Sequence, residues 1–384
     1  MTKYYNTGET MNYGFTTGSC SAAAAKAAAY MLLSGTKKED IVIRTPKGID
    51  YHARILDAVR TKECVSCCVE KDGGDDPDIT TGARVCATVR LLHDHPREVL
   101  VDGGEGVGRV TEPGLDQPVG AAAINSVPRS MICSEVREVM ELFDWQGGLS
   151  VIISVPGGEE LAKKTFNPKL GITGGISILG TSGIVEPMST QAIKDTIRVE
   201  LRQRVAQGYE RVVIAPGNYG VDFMRERYDY DLDRAVKCAN YIGETIDMAA
   251  ELGVKQLLLV GHLGKLIKVS GGIMNTHSAV ADCRMELMAA AVIQTAGDAE
   301  LAGRILDCSN TTQAYGLVAE AGISEPFMKC VMDRIGDHLD RRAKGRLQVE
   351  CIVFLNEVGL LGTTKGAEEL LAAIRQEQDS GSRK

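Results

Sequence analysis

The chain has 384 residues, 44% of them hydrophobic and 24% charged, which is more than one core usually serves, so two domains are the default. A net charge of −8, with one Trp and six Phe, argues against a general nucleic-acid binder, which carries a basic face and stacking aromatics. No stretch reaches the ~18 unbroken apolar residues of a membrane span. The eleven cysteines lie scattered through apolar runs, the pattern of buried thiols in a reducing compartment, so a cytoplasmic protein without disulfides is expected.

The Ala-rich run Ser21–Leu33 predicts a helix. Lys26 interrupts it and a Gly/Thr turn precedes it, so it does not read as a signal peptide. Short β-rich runs follow at Ile41–Pro46, Tyr51–Arg60, Glu63–Glu70, Ala83–Leu92 and Arg97–Asp102. A helix is expected within Val127–Phe143, where Pro128 suits a first turn, and a strand at Leu149–Pro156. Residues 1–168 thus read as an α+β domain.

The rhythm then changes. Ile176–Gly180, Arg211–Asn218 and Gln256–His262 are short continuous apolar runs that each reach glycine near their ends, and helical patterns at Thr190–Gln207 and Leu232–Leu252 separate them. Buried parallel strands with crossover helices have this look. A helical block over Ser278–Lys344, a strand at Arg346–Leu355 and a last helix at Lys365–Gln376 complete residues 169–384 as a three-layer, Rossmann-like α/β domain with a mainly parallel sheet. The tail Gln378–Lys384 reads as disordered.

In such a sheet ligands bind beyond the carboxyl ends of the strands. Those ends carry Gly180, Thr181, Ser182 and Gly183, then Gly217 and Asn218, then Gly261 and Gly264, a set expected to cradle a small molecule. No G-x-G-x-x-G follows a strand and no P-loop is present, which demotes dinucleotide oxidoreductases and kinases. Ahead of the Ala-rich helix, Thr16, Thr17 and Ser19 surround Gly18, which leaves first-turn amides open to an anion. The densest polar segment is Gly261–Glu286. It holds His262, Lys265 and Lys268 one turn apart, His277 at a helix start, Asp282 and Glu286 on one helix face, and Arg284. The acidic run Glu70–Asp78 lacks calcium-loop spacing and reads as a turn. Cys64, Cys67 and Cys68 lack a second ligand pair at zinc spacing, so no metal site is expected in the protein.

Long ordered motifs give a further reading. They are GFTTGSC with its Ala-rich helix, DGGDDPDITTGA (Asp72–Ala83), VDGGEGVGRVTEPGL (Val101–Leu115), AAINSVPRSMI (Ala122–Ile132), the run Val155–Ser189, and GHLGKLIKVSGGIMNTHSAVADCRME (Gly261–Glu286). With them the chain resembles, over nearly its whole length, the cobalt-precorrin-5B C1-methyltransferase (CbiD) family of anaerobic cobalamin biosynthesis. The resemblance implies S-adenosylmethionine as methyl donor, a corrinoid acceptor converted to cobalt-precorrin-6A, and a two-domain fold; it carries over no catalytic residue. On that reading the cobalt belongs to the substrate, and neither nucleic acid nor membrane is a partner; a homo-oligomer stays open.

His262, His277 and Asp282 are the candidates for a base. Lys265, Lys268, Arg284 and the Thr16–Ser19 turn are the candidate partners of the corrin carboxylates, with the macrocycle expected between the domains. The rival reading is a non-catalytic corrinoid carrier, which would bind no S-adenosylmethionine.

Overall fold

The computed structural model describes residues 3–6, 9–187, 189–217 and 220–381; Asn218, one of the expected ligand contacts, lies outside them. The chain divides into two compact units, Met1–Ser189 and Thr190–Lys384. That division falls later than the 168/169 boundary drawn from the sequence. The reason is strand pairing: Ile172–Thr173 pairs with Arg109–Val110, Gly175–Ile176 with Gly106–Val107, and Ile184–Val185 with Gly14–Phe15.

The first unit is built on a sheet of β1 (Leu56–Arg60), β2 (Cys64–Glu70), β3 (Arg84–Leu92), β4 (Val99–Gly103) and β5 (Gly148–Ser154), in the order β1-β2-β3-β5-β4. Only β5 and β4 run parallel. Val65, Cys67 and Val69 on β2 alternate into the same core as Val85, Ala87 and Val89 on β3. Over that core lies α1 (Thr17–Ser34), with α2 (Ser126–Leu142) packed beside it. Ala22–Ala25 and Ala27–Ala29 are fully buried, so α1 is apolar nearly all round and its small side chains allow close approach. The charge that interrupts the run is answered from α2: Lys26 Nζ lies 2.7 Å from Glu135 and 3.0 Å from Glu138.

Two expectations fail in this unit. The run Tyr51–Arg60 is not one strand; it breaks into Asp50–Arg54 and β1, with Asp57 at φ +52°. The thiols are not all free either, because Cys68 and Cys86 are direct cross-strand partners on β2 and β3 and form a disulfide. The register between two strands decides such a pairing, and one strand's alternation does not reveal it. The other nine cysteines are free thiols.

The second unit holds a sheet of β6 (Arg211–Ala215), β7 (Val236–Lys237), β8 (Gln256–His262), β9 (Gln348–Leu355) and β10 (Gly359–Thr363), ordered β7-β6-β8-β9-β10. The pairings are parallel except for β9 with β10. Both faces of the central strands are buried. Val212, Ile214, Leu257, Leu259, Cys351 and Val353 face one core, together with helices α3 (Ile242–Glu251) and α4 (Ser324–Ala343). Val213, Ala215, Leu258, Val260, Ile352 and Phe354 face the other, under the helix Ala367–Gly381. Burial on both sides explains why these strands read as unbroken apolar runs.

Here too the structure departs from the sequence reading. Ile176–Gly180 is no strand of this sheet and belongs to the first unit. The pattern over Leu232–Leu252 is not one helix but a short turn of 3-10 helix, the strand β7 and then α3. The last helix continues to Gly381, so residues 378–381 are helical and only 382–384 of the expected tail lie outside the described residues. Among the described residues no helix is long and apolar enough to cross a membrane.

Candidate functional site

The site residues expected from the sequence fall into two groups, one in each unit. In the first unit the Gly180–Gly183 loop meets the N-terminus of α1. Thr16 caps the helix by accepting from Ser19 N at 3.2 Å, Gly18 N donates to Leu179 O at 3.1 Å, and Cys20 N to Thr16 O at 3.1 Å. Ser19 Oγ donates to Gly183 O at 2.6 Å, and the Thr17 hydroxyl accepts from Leu179 N at 3.0 Å. The Gly18 and Ser19 amides, expected to stay open for an anion, are therefore occupied, and Thr16, Thr17 and Ser19 are buried. Gly180 is needed for packing: a Cβ there would lie 2.4 Å from Thr16. The loop belongs to the first unit and does not follow a strand of the second sheet, in contrast to Gly217 and Gly261.

The acidic segment folds as the turn expected of it. Asp72 accepts from Gly74 N at 2.9 Å, and Asp75 accepts from Asn12 N at 2.6 Å. Asp78 caps Thr80 and holds the buried Lys71 ammonium at 2.6 Å. Burial alone would raise the Asp78 carboxyl, but Lys71 and the Thr80 amide outweigh it and bring it below the usual carboxylate range.

In the second unit the carboxyl ends of β6, β7 and β8 gather the remaining residues. Gly217 follows β6 at φ +148°, a conformation that side chains resist. Gly261 lies on β8, where a Cβ would sit 3.0 Å from Leu266. His262 caps the short helix Leu263–Leu266 by accepting from Gly264 N through Nδ1 at 3.0 Å. Lys265 Nζ donates to Asn240 Oδ1 at 2.7 Å. Lys268 differs in kind: it is 2% exposed, and its ammonium donates to Thr276 O at 3.2 Å and Ala281 O at 2.8 Å, with Asp282 at 3.8 Å. It staples the segment 268–282 together and is not presented to a ligand. Asp282 lies ahead of the helix Arg284–Ala296 rather than on one face of it with Glu286, and it grips Arg284 through both oxygens at 2.5 and 2.8 Å. Arg284 lowers the Asp282 carboxyl below its usual range.

These bonds decide what the candidate bases can do. An imidazole whose Nδ1 accepts a hydrogen bond carries its hydrogen on Nε2 in the neutral ring. His262 accepts from Gly264 N, and exposed His277 accepts from Ala279 N at 3.1 Å through the same atom. Burial pushes His262 below the ordinary imidazole value, with Glu357 opposing, so the ring is neutral at neutral pH. Both histidines are thus set as Nε2–H donors. Neither histidine takes a proton at Nδ1 without giving up a bond that holds its own loop, and Asp282 is ion-paired with Arg284.

Sequence reasoning missed Asn240. It follows β7 directly after Ala239, which sits at φ +49°. Its side-chain oxygen accepts from Lys265 and, at 3.3 Å, from Thr276 Oγ1, while its backbone oxygen accepts from Thr276 N at 2.9 Å. The only local hint was an Asn within what looked like a helix.

A family model described as CbiD matches residues 4–187, and one described as CbiD, C-terminal domain, matches residues 275–365. A cobalt-precorrin-5B C(1)-methyltransferase of Ruminiclostridium cellulolyticum is 45% identical over 379 residues, covering 97% of this chain and 98% of its own. The chain belongs to the CbiD family. A second CbiD relative, the cobalt-precorrin-5B C(1)-methyltransferase of Alkaliphilus metalliredigens, is 43% identical over 96% of this chain and 97% of its own. The crystal structure of a cobalamin biosynthesis protein (cbiD) from Archaeoglobus fulgidus is 26% identical, with a TM-score of 0.39, covering 73% of this chain and 87% of that one. The first family match ends at residue 187, beside the division at Ser189.

Proposed function

We propose that the chain transfers a methyl group from S-adenosylmethionine to C1 of cobalt-precorrin-5B, giving cobalt-precorrin-6A in anaerobic cobalamin biosynthesis. The carrying observation is the likeness, across 97% of the chain at 45% identity, to a protein named for that reaction. The donor supplies the methyl group as an electrophile on sulfur, and the electron-rich macrocycle supplies the carbon nucleophile, so the protein's task is positioning.

The second unit is the donor-binding, Rossmann-like domain on this reading. Its support is a sheet buried on both faces and three parallel strands ending at one edge. Gly217 carries no side chain at that edge, as close approach to a nucleoside requires, while the missing Cβ positions of Gly261 and Gly264 are taken up by Leu266, His262 and Thr311, which pack the edge from within. Lys265 meets a peripheral carboxylate of the corrinoid, and Arg284 reaches toward the same acidic rim while holding Asp282. His262 and His277 donate hydrogen bonds through Nε2, which suits a carboxylate-rich acceptor better than proton abstraction. The cobalt enters and leaves with the substrate.

The test is incubation with cobalt-precorrin-5B and methyl-labelled S-adenosylmethionine, followed by mass analysis of the corrinoid. One labelled methyl group at C1 is expected; corrinoid binding without donor binding would make the protein a carrier instead. Gly217→Ala should weaken S-adenosylmethionine at least tenfold by calorimetry in a protein whose circular dichroism is that of wild type, and unchanged affinity would remove the donor from this edge.

A further inference from the structure

We infer that Asn240 is a positioning residue, whose amide holds the Lys265 ammonium uncompensated and aimed for a carboxylate of the corrinoid substrate. The inference rests on the methyltransferase reading above. The two lysines of this segment have opposite surroundings. Lys268 is buried among two carbonyls and has Asp282 within 3.8 Å, so its charge is answered inside the fold. Lys265 is half-buried, and its acceptor is the neutral Asn240 oxygen at 2.7 Å. Among the described residues no carboxylate lies within ion-pair distance of it. Burial pushes its amine below the ordinary lysine value, as an uncompensated cation requires.

Asn240 is itself held. Thr276 Oγ1 donates to its side-chain oxygen at 3.3 Å and Thr276 N to its backbone oxygen at 2.9 Å, and Thr276 is buried. Ala239 turns the chain into it through a left-handed conformation that favours glycine. A short strand, a strained residue and a buried hydroxyl therefore converge on one amide oxygen, and the group pointed at that oxygen is Lys265. An amide orients an ammonium without cancelling its charge. An aspartate of the same shape would form an ion pair with Lys265 and leave nothing for an incoming carboxylate.

That contrast gives the experiment. The four proteins are wild type, Asn240→Asp, Lys265→Met and the double variant. KM for cobalt-precorrin-5B and kcat are measured at saturating S-adenosylmethionine, and donor affinity by calorimetry. Asn240→Asp should raise the corrinoid KM at least tenfold, with kcat and donor affinity within about twofold, and Lys265→Met should do the same. Because Asn240 acts through Lys265, the double variant should be no worse than Lys265→Met alone. Additive losses would overturn the inference, and so would an Asn240→Asp enzyme with wild-type KM beside an impaired Lys265→Met. Should Asn240→Asp fail to fold, Asn240→Ala releases Lys265 from its acceptor, and its cycle with Lys265→Met must likewise be non-additive. A wild-type protein that transfers no methyl group would instead sink the underlying reading.

Discussion

Replacing Lys268 by methionine separates a structural cation from a ligand-binding one. Methionine keeps most of the buried stem and removes the ammonium. Two carbonyls then lose their donor: Thr276 O, on a residue 4% exposed, and Ala281 O, nearer the surface. An unsatisfied buried acceptor costs about 1–3 kcal/mol, whereas Ala281 O can recover much of its bond from water. Asp282 is not orphaned, since Arg284 keeps both its oxygens. Relief from burying a charge offsets part of the loss, leaving about 2 kcal/mol net. For a unit of this size that lowers Tm by roughly 4–8 °C. The single tryptophan, Trp145, lies in the first unit, so its fluorescence does not report the transition. Far-ultraviolet circular dichroism, with hydrogen exchange across residues 268–283, does. Corrinoid KM should stay within twofold. An unchanged Tm with a tenfold higher KM would show that Lys268 touches substrate and that the staple is misread.

His277→Ala should raise the corrinoid KM several-fold while leaving kcat at saturating substrate intact, because its Nδ1 is already an acceptor for Ala279 N; a tenfold loss of kcat would make it a base after all. The folded protein disfavours the charged form of His262, so the unfolded chain binds the proton more readily. That contribution to stability is complete above the ordinary imidazole value of about 6.5 and is lost as pH falls through the lower folded value. His262→Asn, which can still cap the helix, should flatten this acid slope in denaturant titrations, and a slope left unchanged would assign it elsewhere. Thiol labelling of unreduced, unfolded protein should leave only Cys68 and Cys86 unmodified. Cys68→Ser should cost the first unit about 3 kcal/mol, as expected for a closed loop of this length, and full labelling of all eleven thiols would refute the bridge.

The parts of the fold legible in the sequence were those whose burial imposes a pattern. Leu257–Val260 and Cys351–Phe354 face cores on both sides, so they stand out as apolar runs, and the all-round burial of α1 explains its alanines. The partner of a short apolar run is not written in its period. Residues 176–180 therefore looked like one more parallel strand, although they serve the first unit. The two-residue strand β7 vanished into a helical rhythm for the same reason, and Asn240 with it. The first-turn amides at Gly18 looked open because the carbonyl that takes the Gly18 amide, Leu179 O, lies some 160 residues away. Lys265 and Lys268 looked equivalent, and only tertiary packing tells the half-exposed ammonium from the buried one.

The central strand β8 has a consequence for how the protein is made. One of its neighbours, β6, precedes it in the chain, but Gln256 meets Gln348 across the other edge, 92 residues later. At ordinary synthesis rates a nascent chain waits roughly 5–20 s between making Gln256–His262 and making its second neighbour. Throughout that interval a strand apolar on both faces offers an unpaired parallel edge, the kind of template on which chains aggregate. Fragments ending before Gln348 should therefore be captured by chaperones or precipitate, whereas chains extended through Thr363 can close the sheet and cap it with the antiparallel β10.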